Sequence, residues 1–218
     1  MRYIFLFSLL ALSAALSADD KIKVISIEYP PFINANSDDF GTNFGLLKKY
    51  ADSNFKVGYE PYFVPPARAQ LLIELNQWCL SFYPPKKPGA YRFVPLSDEK
   101  VRLGLYRREQ PTPFNYTSLN ELKGKVAVLR SISLGKIYTE LSNAGLQLVS
   151  LETVEQGIRM LLAGRVDYAF GDNTTVLTYL DIPEIETLQF GAPSLHEAEV
   201  GFFIHQSCEA DVYKSFEN

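Results

Sequence analysis

Apolar and polar positions fall into two similar runs of short strands and helices. Lys21 to Glu28 (KIKVISIE) alternates and is rich in β-branched residues, which predicts a strand. Tyr29-Pro30-Pro31-Phe32 ends it, because neither proline can donate a ladder hydrogen bond. Gly41 to Asp52 predicts a helix with Leu46, Leu47 and Tyr50 on its apolar side. Asn54 to Phe63 predicts a strand, and Pro65-Pro66 open a second helix over Ala67 to Gln77. Trp78 to Tyr83 is a short apolar strand closed by Pro84-Pro85, and Phe93 to Pro95 and Val101 to Tyr106 are extended.

The polar stretch Arg107 to Tyr116, with its two prolines, reads as a boundary, and the pattern then restarts. Lys125 to Leu129, Leu146 to Ser150 and Val166 to Gly171 are strands. Leu134 to Ala144, Thr153 to Ala163 and Thr174 to Leu180 are helices, the first two followed by Gly145 and Gly164. This second unit covers about 118 to 194, and a last strand, Glu199 to His205, follows it. Alternation of this kind implies an α/β protein with mostly parallel sheets. Two such units imply two lobes with a cleft between them. Ligands of open parallel sheets sit beyond the carboxyl ends of the strands. Those ends are Tyr29 to Phe32, Tyr83 to Pro85, Arg130 to Ser133 and Gly171 to Asn173, all polar or aromatic.

The N-terminus carries a different pattern. Arg2 precedes an apolar run from Tyr3 to about Leu12, and small residues gather at Ser13, Ala14, Ala15, Ser17 and Ala18. This is the layout of a secretory signal peptide over residues 1–18, cleaved after Ser17 or Ala18; the run is short for a membrane anchor, and Asp19-Asp20 follow at once. The mature chain is expected outside the cytoplasm.

The 218 residues are 47% hydrophobic and 21% charged, enough for a real core. Net charge is −4, and loss of Arg2 with the leader leaves −5, which argues against nucleic acid as a partner. Two cysteines and two histidines are too few for a zinc ribbon or finger, and no metal or cofactor is expected. In an exported protein Cys79 and Cys208 can form a disulfide or remain buried thiols.

Catalytic motifs are sparse. No Gly-x-Ser-x-Gly elbow, His-Glu-x-x-His or phosphate loop occurs. Ser133 to Lys136 and Ser53 to Lys56 match a Ser-x-x-Lys spacing that is common by chance, and its companion motifs are missing. His196 and His205 have no acidic helix partner. The triplets at Asn115 and Asn173 fit glycosylation acceptors but are frequent by chance.

Several segments together resemble the bacterial extracellular solute-binding proteins of family three, the periplasmic polar amino-acid-binding type. They are Tyr29-Pro30-Pro31-Phe32, Gly41 to Leu47, Pro66-Ala67-Arg68, Ser118 to Val128 (SLNELKGKVAV) and Gly157 to Asp172 (GIRMLLAGRVDYAFGD). The resemblance runs over nearly the whole mature chain. It implies a two-lobed periplasmic-binding-protein-like fold of type II. Lobe one would be 19–104 and 202–218, and lobe two 105–201. Extended crossings would lie near Leu103 to Tyr106 and Val200 to Ile204. It also implies a monomer, not an enzyme, that closes on a small-molecule ligand for an ABC transporter permease or a membrane sensor.

Residue roles follow from the same resemblance. Tyr29 and Phe32 form an aromatic wall, or else pack in the core. Asp172 accepts hydrogen bonds from a ligand ammonium, or caps the helix after it. Arg130, Ser131 and Ser133 receive an anion, or serve ordinary capping. Tyr83 lines the cleft; Arg68 faces either cleft or surface. The returning strand would run antiparallel to Trp78–Tyr83 and bring Cys208 to Cys79, which implies a disulfide.

Two departures matter. Relatives carry an arginine after the third strand that grips a carboxylate as a fork. Tyr83 to Arg92 has none at that spacing, leaving Lys86, Lys87 or Arg92 as substitutes, and a lysine point charge is not equivalent. The tail after Ser207 is also short. Alternatives are therefore a dehydratase-like enzyme on this fold, with Asp172 or Glu28 as acid or base, and a secreted interaction module with a degenerate cleft.

Overall fold

The computed structural model describes residues 21–131, 135–174 and 184–214. In the first unit, β1 (Ile22–Ser26) lies between β2 (Tyr59–Phe63) and β3 (Leu80–Ser81), parallel to both. The crossovers α1 (Thr42–Asn54) and α2 (Pro66–Glu74) contribute to different cores, and the period-2 side chains of β1 divide between them. Val24 packs with Phe44, Leu47 and Ala51 of α1. Ile25 and Ile27 pack with Ala69, Leu72 and Ile73 of α2.

The second unit repeats the plan. β5 (Lys125–Leu129) lies between β6 (Gln147–Leu151) and β7 (Tyr168–Asp172), again parallel to both. Ala127 faces Val154, Ile158 and Leu161 of α4 (Val154–Leu162). Val126 and Val128 face Leu141 of α3 (Lys136–Asn143). Thr153 caps α4, its hydroxyl accepting from the Gln156 amide.

Two long strands join the units. β4 (Tyr91–Arg108) is one strand that takes in both extended stretches, Phe93 to Pro95 and Val101 to Tyr106, and the polar residues between them. β9 (His196–His205) runs antiparallel to it, and the register shifts between Pro95 and Lys100. Leu103 to Tyr106 of β4 pair with β7, while Tyr106 to Arg108 pair with β8 (Leu188–Phe190). On the other side Leu80 and Ser81 pair antiparallel with Ile204 and Phe203. The strand order is β2-β1-β3-β9-β4-β7-β5-β6, with β8 beside β4. Parallel pairing is thus confined to the trio within each lobe. The sheet is mixed, and β4 and β9 link the two trios into one hydrogen-bonded path.

A disulfide joins Cys79 to Cys208, with Cα atoms 5.6 Å apart. It fixes the end of β9, next to the short α5 (Glu209–Val212), against the entry to β3. Phe202, fully buried, stacks edge-on with Tyr50 of α1 and with Phe55. Among the described residues no helix is long and apolar enough to cross a membrane.

One turn needs glycine. The N–H groups of Thr42 and Asn43, in the first turn of α1, donate to the Pro31 and Phe32 carbonyls at 3.0 and 2.9 Å. Gly41 sits between them at φ 94°, and a Cβ there would lie 2.6 Å from the Pro31 oxygen. Gly41 thereby lets the Tyr29 to Phe32 turn dock on the helix end.

Candidate functional site

Both lobes present their strand ends to one crevice. Tyr29 follows β1, and its ring packs against the α2-side core of lobe one and the α4-side core of lobe two; Leu129, at the end of β5, does the same. The Tyr29 hydroxyl donates to Asp172 Oδ2 at 2.9 Å, a bond between lobes. Asp172 ends β7 with no exposed surface. Its Oδ1 accepts the Thr174 amide at 2.8 Å, and its backbone carbonyl accepts the Tyr106 hydroxyl at 2.8 Å. Burial and then the Asp172 charge raise the Tyr29 phenol well above its ordinary pKa, so near neutrality it remains a donor.

A second bridge lies on the side of α2. Gln70, 2% exposed, accepts the Ser131 hydroxyl at 2.7 Å and the Lys86 ammonium at 3.0 Å on its Oε1, and donates through Nε2 to Glu74 at 2.7 Å. Lys86 also bonds the Ser131 hydroxyl and lies 5.7 Å from the centre of the Tyr138 ring. Partial burial lowers the Lys86 pKa, and Glu74 offsets part of that. Tyr83 is 8% exposed and hydrogen-bonded to Ser131; burial, then the Glu74 charge, push its phenol up to about 12. Burial also raises Tyr138, whose ring stands edge-on to Phe170. Among the described residues, the phenols of Tyr29, Tyr83 and Tyr138, the Lys86 ammonium and the Asp172 carboxylate come together here. Groups of both lobes are hydrogen-bonded to each other.

The residues singled out by the sequence separate into those that meet here and those that do not. Tyr29, Tyr83, Ser131 and Asp172 meet, and Lys86 joins them. Phe32 packs on the lobe-one core, its ring 6.2 Å from that of Tyr29. Arg68 is exposed at the start of α2. Arg92 pairs with Glu209 at 3.0 Å and lies over the Tyr213 ring. Arg130 pairs with Glu152 at 3.0 Å. Lys87 is exposed, and Glu28 accepts the Ala35 amide. Ser133 lies outside the described residues, as does the predicted helix from Thr175 onward. The Thr174 amide on Asp172 is the hydrogen bond expected of a cap.

Gln70 and Tyr138 were not anticipated. Gln70 carried a signal: a polar side chain in register with Pro66, Ala69 and Ile73 on the buried face of α2. Tyr138 carried none beyond its place in the first turn of α3. Among the described residues no group of three or more His, Cys, Asp or Glu side chains is placed to hold a metal ion.

No family model matches the sequence, and no curated protein matches it. Solved structures do match the fold. The GluR0 ligand-binding core of Nostoc punctiforme in complex with L-glutamate superposes with a TM-score of 0.63 at 15% identity, over 87% of this chain and 92% of that one. Holo ArgBP from T. maritima superposes with a TM-score of 0.63 at 16% identity, over 88% and 84%. The substrate-binding protein of an amino acid ABC transporter gives 0.62 at 15% identity, over 87% of each. At such identities the likeness is one of fold: the chain has the two-lobed, type II periplasmic-binding-protein architecture, with β4 and β9 as its extended crossings.

Proposed function

We propose that the protein captures a small polar solute, amino-acid-like or another small organic molecule, between its two lobes. The observation that supports this most is the convergence of buried and half-buried polar side chains from four strand ends, joined across the lobes by the Tyr29–Asp172 bond. Donors and acceptors held in a water-poor crevice are the groups a polar ligand needs. A ligand has to replace the contacts that the crevice groups make with one another, so net affinity comes from the difference between the two sets. Lobe one is 19–104 with 202–218, and lobe two is 105–201. The leader at 1–18 sends the chain to the periplasm, where it serves as a monomer for an ABC transporter permease or a membrane sensor. The chain binds rather than catalyses.

One observation favours a second reading. Crevice side chains already satisfy one another, as a degenerate cleft in an interaction module would. A thermal-shift screen of amino acids, amines, organic acids and peptides separates the two. A solute at 100 times its Kd adds about 2.7 kcal/mol, or roughly 5–10 °C in Tm for a protein of this size. Silence from every class contradicts solute capture and supports the interaction module; turnover of a hit would point to an enzyme.

A further inference from the structure

Hydrogen bonds cross the crevice at two depths. The inner one runs from the Tyr29 hydroxyl to Asp172 at 2.9 Å. Asp172 stands opposite Leu103 in the ladder between β7 and β4, directly beside a crossing strand. The outer bridge is centred on Ser131 of lobe two. Its hydroxyl meets Gln70 Oε1 at 2.7 Å and the Lys86 ammonium, both of lobe one. Ser131 follows β5, which lies two strand spacings, roughly 10 Å, from β4. Apolar surface meets as well. Tyr29 and Leu129 each pack on a core of either lobe, and the Lys86 stem passes Gly135 at the start of α3.

All of these contacts are between the protein's own groups. The Tyr29 phenol keeps its proton near neutrality and remains a donor to Asp172. Rotation about the crossings acts on the outer bridge through the longer arm. A parting of ~1 Å there takes the 2.7 Å contact out of hydrogen-bond range. The same rotation would return the Tyr29 ring and Leu129 to water.

Building on solute capture, we propose that the protein rests with its lobes closed before any solute arrives, latched by the Tyr29–Asp172 bond and by the bridge from Ser131 to Gln70 and Lys86. A solute then enters only those molecules whose latch is open, and its apparent affinity is reduced by that fraction. The latch thereby sets the concentration at which the protein responds.

The test is a distance measurement on the mature protein, without added solute and shown by native mass spectrometry to carry no small molecule. Spin labels are placed at Arg68→Cys in α2 and Thr139→Cys in α3, exposed positions on the helices that bring Gln70 and Tyr138 to the two sides of the crevice. The native disulfide leaves no other thiol to label. One short distance is expected. Tyr29→Phe removes a hydrogen bond to a carboxylate, about 10-fold in the closed-to-open ratio. Ser131→Ala removes the outer bridge, while Gln70 and Lys86 keep their bond to each other at 3.0 Å. Each variant should add a longer-distance population, and the two combined a larger one, in protein whose circular dichroism is unchanged. A predominantly long distance without these two substitutions overturns the latch. So does a distance left unchanged by both folded single variants. The measurement needs no solute, so its failure leaves solute capture standing, and a silent thermal-shift screen leaves the closed resting state standing.

Discussion

Reduction of the Cys79–Cys208 bond should remove a large part of the protein's stability. The bond closes a loop across a sequence separation of 129 residues. In the chain-entropy treatment, a loop of that length restricts the unfolded chain by about 5 kcal/mol at 25 °C. Total stability for a domain is only about 5–15 kcal/mol, so the reduced protein retains a small margin. Cys208 is itself buried in the lobe-one core with Phe202 and Ile204, so alkylation adds a packing cost to the loss of the cross-link. The assay is urea unfolding of the oxidised protein and of the reduced, alkylated protein, each followed by circular dichroism. With a slope of about 2 kcal/mol per molar urea, the midpoint should fall by roughly 2.5 M. Intact mass before reduction should show no alkylated thiol. A midpoint shift below about 0.5 M would mean that the bond does not restrain the unfolded chain as reasoned, and two alkylated thiols before reduction would remove the premise.

Other expectations follow from single residues. Gly41→Ala places a Cβ against two backbone oxygens at positive φ and should cost at least about 2 kcal/mol, read as a lower urea midpoint. A double-mutant cycle with Tyr29→Phe and Asp172→Asn should return a coupling of about 1.5–3 kcal/mol, and a value near zero would show that the bond between lobes contributes nothing. Burial raises the phenols of Tyr83 and Tyr116 from 10.0 to about 12, so between those pH values the unfolded chain has released protons that the folded chain retains. Their contribution to stability is therefore complete below pH 10 and is lost as pH rises toward 12; absorbance titration should show their ionisation delayed until unfolding.

The fold was legible where the chain punctuates itself. Lys125–Leu129 is a strand in the pattern and in the fold because an apolar run lies between Gly124 and a polar turn. Pro65-Pro66 opened α2 where the sequence placed it, but the helix stops at Glu74, three residues before the predicted end. Asn76 takes a positive φ of 54° there, a conformation that composition does not announce. The strand expected over Trp78 to Tyr83 pairs only at Leu80 and Ser81. The polar segment Ser97 to Lys100 reads as a break, yet it lies inside the continuous strand β4, where the register with β9 shifts and Asp98 to Lys100 are exposed.

The site was legible through one rule, that strand ends converge. This brought Tyr29, Tyr83, Ser131 and Asp172 together before any geometry was known. The rule does not choose among cations. Arg92 and Arg130 look equal to Lys86 in sequence, but carboxylates at Glu209 and Glu152 hold both arginines elsewhere. Those partners lie 117 and 22 residues away, beyond local pattern. Gln70 was legible only through its register with the buried face of α2, since a glutamine on a helix is ordinarily a surface residue.

The central claim is that a solute enters the crevice and touches both lobes. Hydrogen exchange, with and without a saturating mixture of amino acids and organic acids, tests it most directly. Capture predicts slower exchange at residues 29–33 and 83–87 of lobe one together with 129–131 and 170–173 of lobe two. Unchanged exchange throughout, or slowing confined to one lobe, would contradict it.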